Sequence, residues 1–239
     1  MHAAPFSGKM KVRYFGVRSR VDVFSNLDGG SVMNTRQLCL SFCTLMVAAL
    51  LAGCDDSENP LSTPSKSKPD ERLIGTWREV REEGGAFYHV GRLGGKAPES
   101  MMRLIIVTRP GEAGEIQPPS QALVFPTNIS GNNYLNIAGL SHEGVESARV
   151  QGWKDRKIRS FLIMKYELQP DGDRLLVWGM QGSAKIAMIE AERIKGQLKQ
   201  QDHSTLGRFT DSSENVAKLV ADQSERLYDG KPLVLERVK

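Results

Sequence analysis

The chain has 239 residues, of which 40% are hydrophobic and 25% are charged, and its formal net charge is +4. The excess positive charge lies in residues 1–53, which hold six basic and two acidic side chains, whereas the rest of the chain holds 26 of each. This balance after residue 53 removes the main argument for a nucleic-acid-binding protein. The three cysteines are Cys39, Cys43 and Cys54, so the chain from Cys54 onward has no partner for a disulfide and no thiolate metal site.

The N-terminal region predicts a targeting segment. Residues 1–32 show no sustained hydrophobic periodicity, and we expect them to be a misassigned leader, with translation starting at Met33. Residues 33–53 have the layout of a secretory signal peptide, with the basic Arg36, an apolar run and then small residues. The apolar run is too short for a membrane-spanning helix, which needs roughly 20 residues.

The end of this segment, Leu51-Ala52-Gly53-Cys54, resembles the lipobox of bacterial lipoproteins. The resemblance implies that the Cys54 thiol receives a diacylglyceryl group and that signal peptidase II cuts between Gly53 and Cys54. Asp55 resembles the signal that retains lipoproteins in the inner membrane of enteric bacteria. The implied location is the cell envelope, lipid-anchored and facing the periplasm, with the inner membrane favoured over the outer. The alternative for Cys54 is an ordinary buried cysteine at the end of a hydrophobic helix.

Residues 54–70 are expected to form a lipidated, flexible tether. Three prolines and four serines lie between residues 55 and 70, with a single large apolar residue, Leu61. Such a composition predicts a coil that spans roughly 20–25 Å and forms no core.

Residues 71–239 predict a single globular domain with an antiparallel, barrel-like sheet. Segments rich in β-formers alternate with turn residues, and Asp171-Gly172 predicts a hairpin turn. Helical periodicity predicts two helices, at 183–195 and 211–228, before the last strand. The fold class is therefore α+β. The predicted strands are residues 73–80, 101–108, 134–140, 161–168, 174–180 and 233–238, and a short apolar run at 122–125 lies between turn-rich stretches.

Gly75-Thr76-Trp77 resembles the Gly-x-Trp signature of the first strand of lipocalin-type barrels. The resemblance implies that Trp77 closes one end of the barrel and that Arg237 packs over its indole by a cation–π contact. The sequence departs from the family because two predicted helices precede the final strand. The alternative for Trp77 is an ordinary core residue. The region from Tyr166 to Val238 also resembles proteobacterial lipoproteins to which no activity is assigned.

No pattern predicts an enzyme, a cofactor or a metal site. His89, His142 and His203 are far apart in sequence and lack a metal-ligand spacing. Ser141, His142 and Glu143 are adjacent, so they cannot converge as a catalytic triad. Two functions stay open. The first is an envelope lipoprotein that binds a protein partner or supports envelope organisation; the alternative is a lipocalin-like carrier of a small apolar ligand.

Overall fold

The computed structural model describes residues 56–81, 85–108, 118–139, 142–153, 158, 160–201 and 204–239. The predicted leader, the signal peptide, Cys54 and Asp55 lie outside these ranges. The strands are β1 (Gly75–Glu79), β2 (Phe87–Arg92), β3 (Met102–Val107), β4 (Ser120–Ile129), β5 (Asn132–Gly139), β6 (Leu162–Leu168), β7 (Arg174–Gly179), β8 (Gly196–Gln201), β9 (Ser204–Phe209) and β10 (Leu233–Arg237). The helices are α1 (His142–Gln151), α2 (Gly182–Glu190) and α3 (Ser213–Leu227).

Eight of these strands close into an antiparallel barrel in the order β1-β10-β7-β6-β5-β4-β3-β2. The barrel closes where β10 pairs with β1, in a register that sets Arg237 opposite Trp77. The remaining two strands, β8 and β9, form a separate hairpin. The prediction of an antiparallel, barrel-like sheet is confirmed.

The prediction of two helices inserted before the last strand is met only in part. The described part of the chain has a third helix, α1, and the β8–β9 hairpin lies between α2 and α3. Strand β2 was also missed. Helix α3 begins at Ser213 rather than Asp211, because the Ser212 side chain accepts a hydrogen bond from the backbone N–H of Asn215 and so caps it.

Three apolar clusters follow from the closure of the barrel. One fills its inside with residues from every barrel strand, including Trp77, Met102 and Tyr166. The other two lie on the outer face of β4, β5 and β6. There, α1 packs against Phe125, while α2, α3 and β9 pack against Tyr134 and Ile163. The barrel is therefore covered by a second layer on part of its outer surface.

The prediction of a flexible coil over residues 55–70 was wrong for its described part. Residues 56–70, which we call the N-terminal strap, run along the outside of the barrel. Ser57 and Leu61 are buried. Backbone hydrogen bonds join the strap to Phe161 and Phe209, and Leu61 N–H donates to the Asn136 side chain. The polar groups of this segment, which predicted a coil, instead form hydrogen bonds to the rest of the domain. The partners of these hydrogen bonds lie far away along the chain, so the local sequence does not reveal them.

A buried ion pair fixes the start of the strap. One carboxylate oxygen of Asp56 lies 2.5 Å from the Lys185 ammonium of α2, and the other accepts a hydrogen bond of 2.9 Å from Ile163 N–H. Asp56 is 4% exposed and Lys185 is 7% exposed. Removing one partner of a buried pair leaves an uncompensated charge, which typically costs about 3–5 kcal/mol.

We predict that Lys185→Met lowers the free energy of unfolding by about 3 kcal/mol, because the Asp56 carboxylate stays buried without its cation. Urea denaturation followed by tryptophan fluorescence measures this change. The matched control is the double variant with Asp56→Asn, in which the amide still accepts from Ile163 N–H and which should recover part of the loss. A loss for Lys185→Met within the ~1 kcal/mol range of exposed ion pairs would contradict the role given to this pair.

Candidate functional site

The two ends of the barrel differ. We call the end at which β1, β3, β5 and β7 finish the open end, and the other end, at which they begin, the closed end. At the closed end, Leu73 lies in the short 3₁₀ helix Glu71–Leu73 and is buried together with Trp77. The Trp77 indole N–H donates to the Leu73 carbonyl at 2.8 Å. These groups fill the closed end of the barrel, and we call them the plug.

Arg237 completes this plug. Its guanidinium carbon lies 4.2 Å from the centroid of the Trp77 ring. The same group donates hydrogen bonds to the backbone carbonyls of Arg72, Ile74 and Gly172. Arg237 therefore ties the last strand to the segment before the first strand, while it covers the indole. Both residues that the lipocalin resemblance singled out lie at the closed end.

We predict that Arg237→Met lowers the free energy of unfolding by about 2 kcal/mol, since it removes the cation–π contact and three charge-assisted hydrogen bonds. Arg237→Lys keeps a cation near the ring but loses the planar fork, so its loss should be intermediate. Thermal and urea denaturation measure both variants. Equal stability of Arg237→Met and the unmodified protein would show that the plug does not depend on this side chain.

A ring of six residues lies at the open end, and the strand register identifies its members. Residues that pair directly across an antiparallel sheet point to the same face. Each member of the ring pairs with a residue of the inner cluster or one packed against it, and each lies at or near the strand end that faces the open end. We call this ring the barrel mouth. Its members are Glu79, Ser120, Gly139, Leu162, Gly179 and Leu233.

Two residues of the mouth are glycines, Gly139 at the end of β5 and Gly179 at the end of β7. A side-chain carbon built on Gly139 or Gly179 would meet no atom within 4 Å. Leu162, Met164 and Leu233 point to the inside, yet they are only partly buried. The mouth thus combines two glycines, two leucines and two polar residues.

A polar group lies at one side of the mouth. Glu79 is buried, and its carboxylate accepts a hydrogen bond from the backbone N–H of Ala86 and forms an ion pair with Arg81. Burial, and then the nearby negative charge of Glu79, raises the pKa of Tyr88 to about 12. The Tyr88 hydroxyl thus stays protonated at physiological pH. This side of the mouth is therefore polar.

A second concavity lies outside the barrel, between α1 and strands β2 and β3. It has a volume of about 450 Å³, and basic side chains dominate its lining. Glu146 of α1 accepts from both Arg103 and Arg149, and Arg92 pairs with Glu71. The Arg149 hydrogen bond, helped by Arg103, lowers the pKa of Glu146. Each arginine of this cleft has a carboxylate partner, so the cleft is an ion-pair network that attaches α1 to the sheet.

The histidines do not converge. His89 is exposed on the outer face of β2, with Nδ1 3.0 Å from the Thr76 hydroxyl, and His142 begins α1 beside Gln121. His203, Gly53, Cys54 and Asp55 lie outside the described residues. Among the described residues, no group of three or more His, Cys, Asp or Glu side chains is placed to hold a metal ion.

Sequence reasoning missed the barrel mouth and the Asp56–Lys185 pair. Gly139 and Gly179 end two strands that were predicted, but only the closed order of the strands shows that both residues face one opening. Asp56 was assigned to the tether because nothing local marks it for burial.

The chain finds no match among family models, curated proteins or solved structures. In the described ranges, no helix is both long enough and apolar enough to cross a membrane. The class that the fold supports is thus a closed, eight-stranded antiparallel barrel with an outer helical layer.

Proposed function

We propose that this protein is a membrane-anchored carrier that holds a small apolar ligand in its barrel and does no chemistry on it. The observation that carries the proposal is the closed eight-stranded barrel, which Trp77 and Arg237 plug at one end and which glycine and leucine line at the other. The interior of a barrel of eight strands is either filled by side chains or holds one small ligand. Concave, mostly apolar sites with a few polar groups are the usual form of small-molecule sites.

The anchor in this proposal is lipid on Cys54, and its support is the lipobox-like sequence Leu51-Ala52-Gly53-Cys54. Two or more acyl chains give stable membrane attachment. The proposed location is therefore the periplasmic face of a bacterial envelope membrane, with the inner membrane favoured by Asp55.

A protein-binding role has less support than a carrier role. The large apolar side chains that are most exposed in the described ranges are Val80, Val107, Val150, Leu198 and Val238. Val80 and Val107 lie at the open end of the barrel, Val238 lies at the closed end, and Val150 and Leu198 lie on α1 and β8. A protein interface usually presents its apolar residues as one contiguous patch.

We predict that a neutral naphthylamine probe binds at the mouth with a saturable rise in fluorescence. Gly179→Phe should weaken this binding by about tenfold or more, equivalent to ~1.4 kcal/mol, because the new ring occupies the space into which the glycine faces. The backbone of Gly179 has no positive φ, and its side-chain position is open, so the variant should fold. Fluorescence titration gives the affinity, and thermal denaturation checks the fold.

The matched control is Gly182→Phe, the same substitution at an exposed glycine that begins α2 and also faces open space. It should bind the probe as the unmodified protein does. If Gly179→Phe folds and binds the probe with unchanged affinity, or if the unmodified protein does not bind it at all, the carrier proposal fails.

A further inference from the structure

The cleft between α1 and strands β2 and β3 has a helical wall that is fixed to the sheet. At the end of α1, the Arg149 carbonyl accepts a hydrogen bond of 2.8 Å from Lys96 N–H, in the connection between β2 and β3. Gly95 lies against the same carbonyl with a φ of 67°, and a side-chain carbon built on it would overlap the Arg149 oxygen. This close approach needs a glycine, and it sets the position of Arg149 relative to the sheet.

One carboxylate lies between two arginines in this cleft. Glu146 accepts from Arg103 with one oxygen and from Arg149 with the other. Both guanidinium groups stay charged at physiological pH, so two positive charges share a single negative one. Glu146 is the one acidic side chain among the described residues that line the cleft, while the charge of Arg92 is balanced by Glu71. The cleft therefore keeps a positive charge that a second anion would neutralise.

Both guanidinium groups also have donors to offer to such an anion. A guanidinium carries five N–H donors in one plane. Among the described residues, Glu146 accepts through one nitrogen of Arg103 and one nitrogen of Arg149, so the other nitrogens are available to a ligand. The side chain of Arg103 is 27% exposed and that of Arg149 is 45% exposed, so a ligand in the cleft can reach both.

The sheet side of the cleft has an open floor at Gly91. This glycine lies opposite Arg103 in the pairing of β2 with β3, and a side-chain carbon built on it would lie 3.7 Å from Nε2 of His89. The other ring nitrogen of His89, Nδ1, lies 3.0 Å from the Thr76 hydroxyl. When this hydroxyl donates to Nδ1, the neutral ring carries its proton on Nε2, on the side of Gly91. Donors from β2, β3 and α1 thus surround the space above one glycine.

We propose that this cleft binds a phosphate dianion above Gly91, either free or as the terminal group of a monoester. A terminal phosphate group has three oxygens, and His89, Arg103 and Arg149 approach the space from three directions. A carboxylate has two oxygens in one plane and would leave one of these donors unused. Guanidinium groups are suited to phosphate because they donate two parallel hydrogen bonds. The site lies outside the barrel and does not depend on the proposed carrier role.

The size of the cleft favours a monoester over free phosphate. Its volume of about 450 Å³ is larger than a phosphate group needs. Ile105, which pairs with His89 across β2 and β3, also lines the cleft and offers an apolar surface beside the donors. The organic part of a small phosphate monoester would lie along this surface.

Isothermal titration calorimetry of the full chain with phenyl phosphate tests the site, with inorganic phosphate and benzoate as comparison ligands. We expect one phenyl phosphate per chain, and an affinity about tenfold or more above that of benzoate, because benzoate lacks the third oxygen. Tighter binding of phenyl phosphate than of inorganic phosphate supports a monoester site, and equal affinities support a site for free phosphate. Benzoate binding as tight as that of phenyl phosphate, or no binding of either phosphate, would overturn the proposal.

A substitution in the floor blocks the site without a change in charge. Gly91→Leu fills the space above the strand and should abolish phenyl phosphate binding, and the backbone of Gly91 has no positive φ that would exclude leucine. The matched control is Gly182→Leu, at an open glycine that begins α2, which should bind as the unmodified protein does. Thermal denaturation without ligand checks that both variants fold. A folded Gly91→Leu variant that binds as tightly as the control would refute the site.

Glu146→Gln separates a binding site from a purely structural ion-pair network. The variant removes the negative charge that competes for both arginines, so phenyl phosphate should bind about tenfold more tightly. Helix α1 stays packed on the sheet through Val145 and Ala148, which are buried. Arg103→Met should instead weaken binding by about tenfold or more. If Glu146→Gln folds and binds no more tightly than the unmodified protein, the two arginines serve only to attach α1, and the proposal is wrong.

Discussion

The pairing of β10 with β1 is the contact on which the rest of the structure depends. It removes the two free edges that an eight-stranded sheet would otherwise expose, and it separates an inside from an outside. Because side chains alternate along a strand, closure also decides which residues face each other across the barrel. Trp77 and Arg237 meet only because this register brings the first and last strands together.

A closed barrel has two ends, and the residues at these two ends differ in size. At the closed end, large side chains and the guanidinium of Arg237 fill the opening and bind the backbone carbonyls around it. At the open end, glycine occupies two of the six mouth positions, and a side-chain carbon at either position would meet no atom within 4 Å. The contrast between a plugged end and an end lined by glycine and leucine supports the proposed binding function.

The outer layer makes the sides of the barrel different as well. The N-terminal strap and helices α1, α2 and α3 cover one side of the barrel, and the strap is fixed by the buried contact between Asp56 and Lys185. The strap therefore ties the segment that precedes β1 to the outer layer of the barrel.

Much of the barrel could be predicted from the sequence, because most of its strands are rich in β-formers and end at turn residues. Strand β2 was missed since Gly91 and the polar His89 interrupt its apolar pattern, and α1 was missed since only Val145 and Ala148 are buried along it. The hairpin of β8 and β9 is rich in glutamine and exposed on β8, so it gives no burial signal.

The N-terminal strap and the barrel mouth could not be predicted from the sequence, for a different reason. Asp56 is buried against a lysine 129 residues away, and the mouth is formed by residues from six strands. Contacts of this kind depend on the closed order of the strands, which local patterns do not determine.

The proposed carrier role is tested most directly by native mass spectrometry of the protein, extracted in mild detergent from its own host. We expect a population with one small apolar molecule bound non-covalently, and we expect Gly179→Phe to lose it. A spectrum without such a molecule, or a bound molecule that persists in Gly179→Phe, would contradict a barrel that takes its ligand at the mouth.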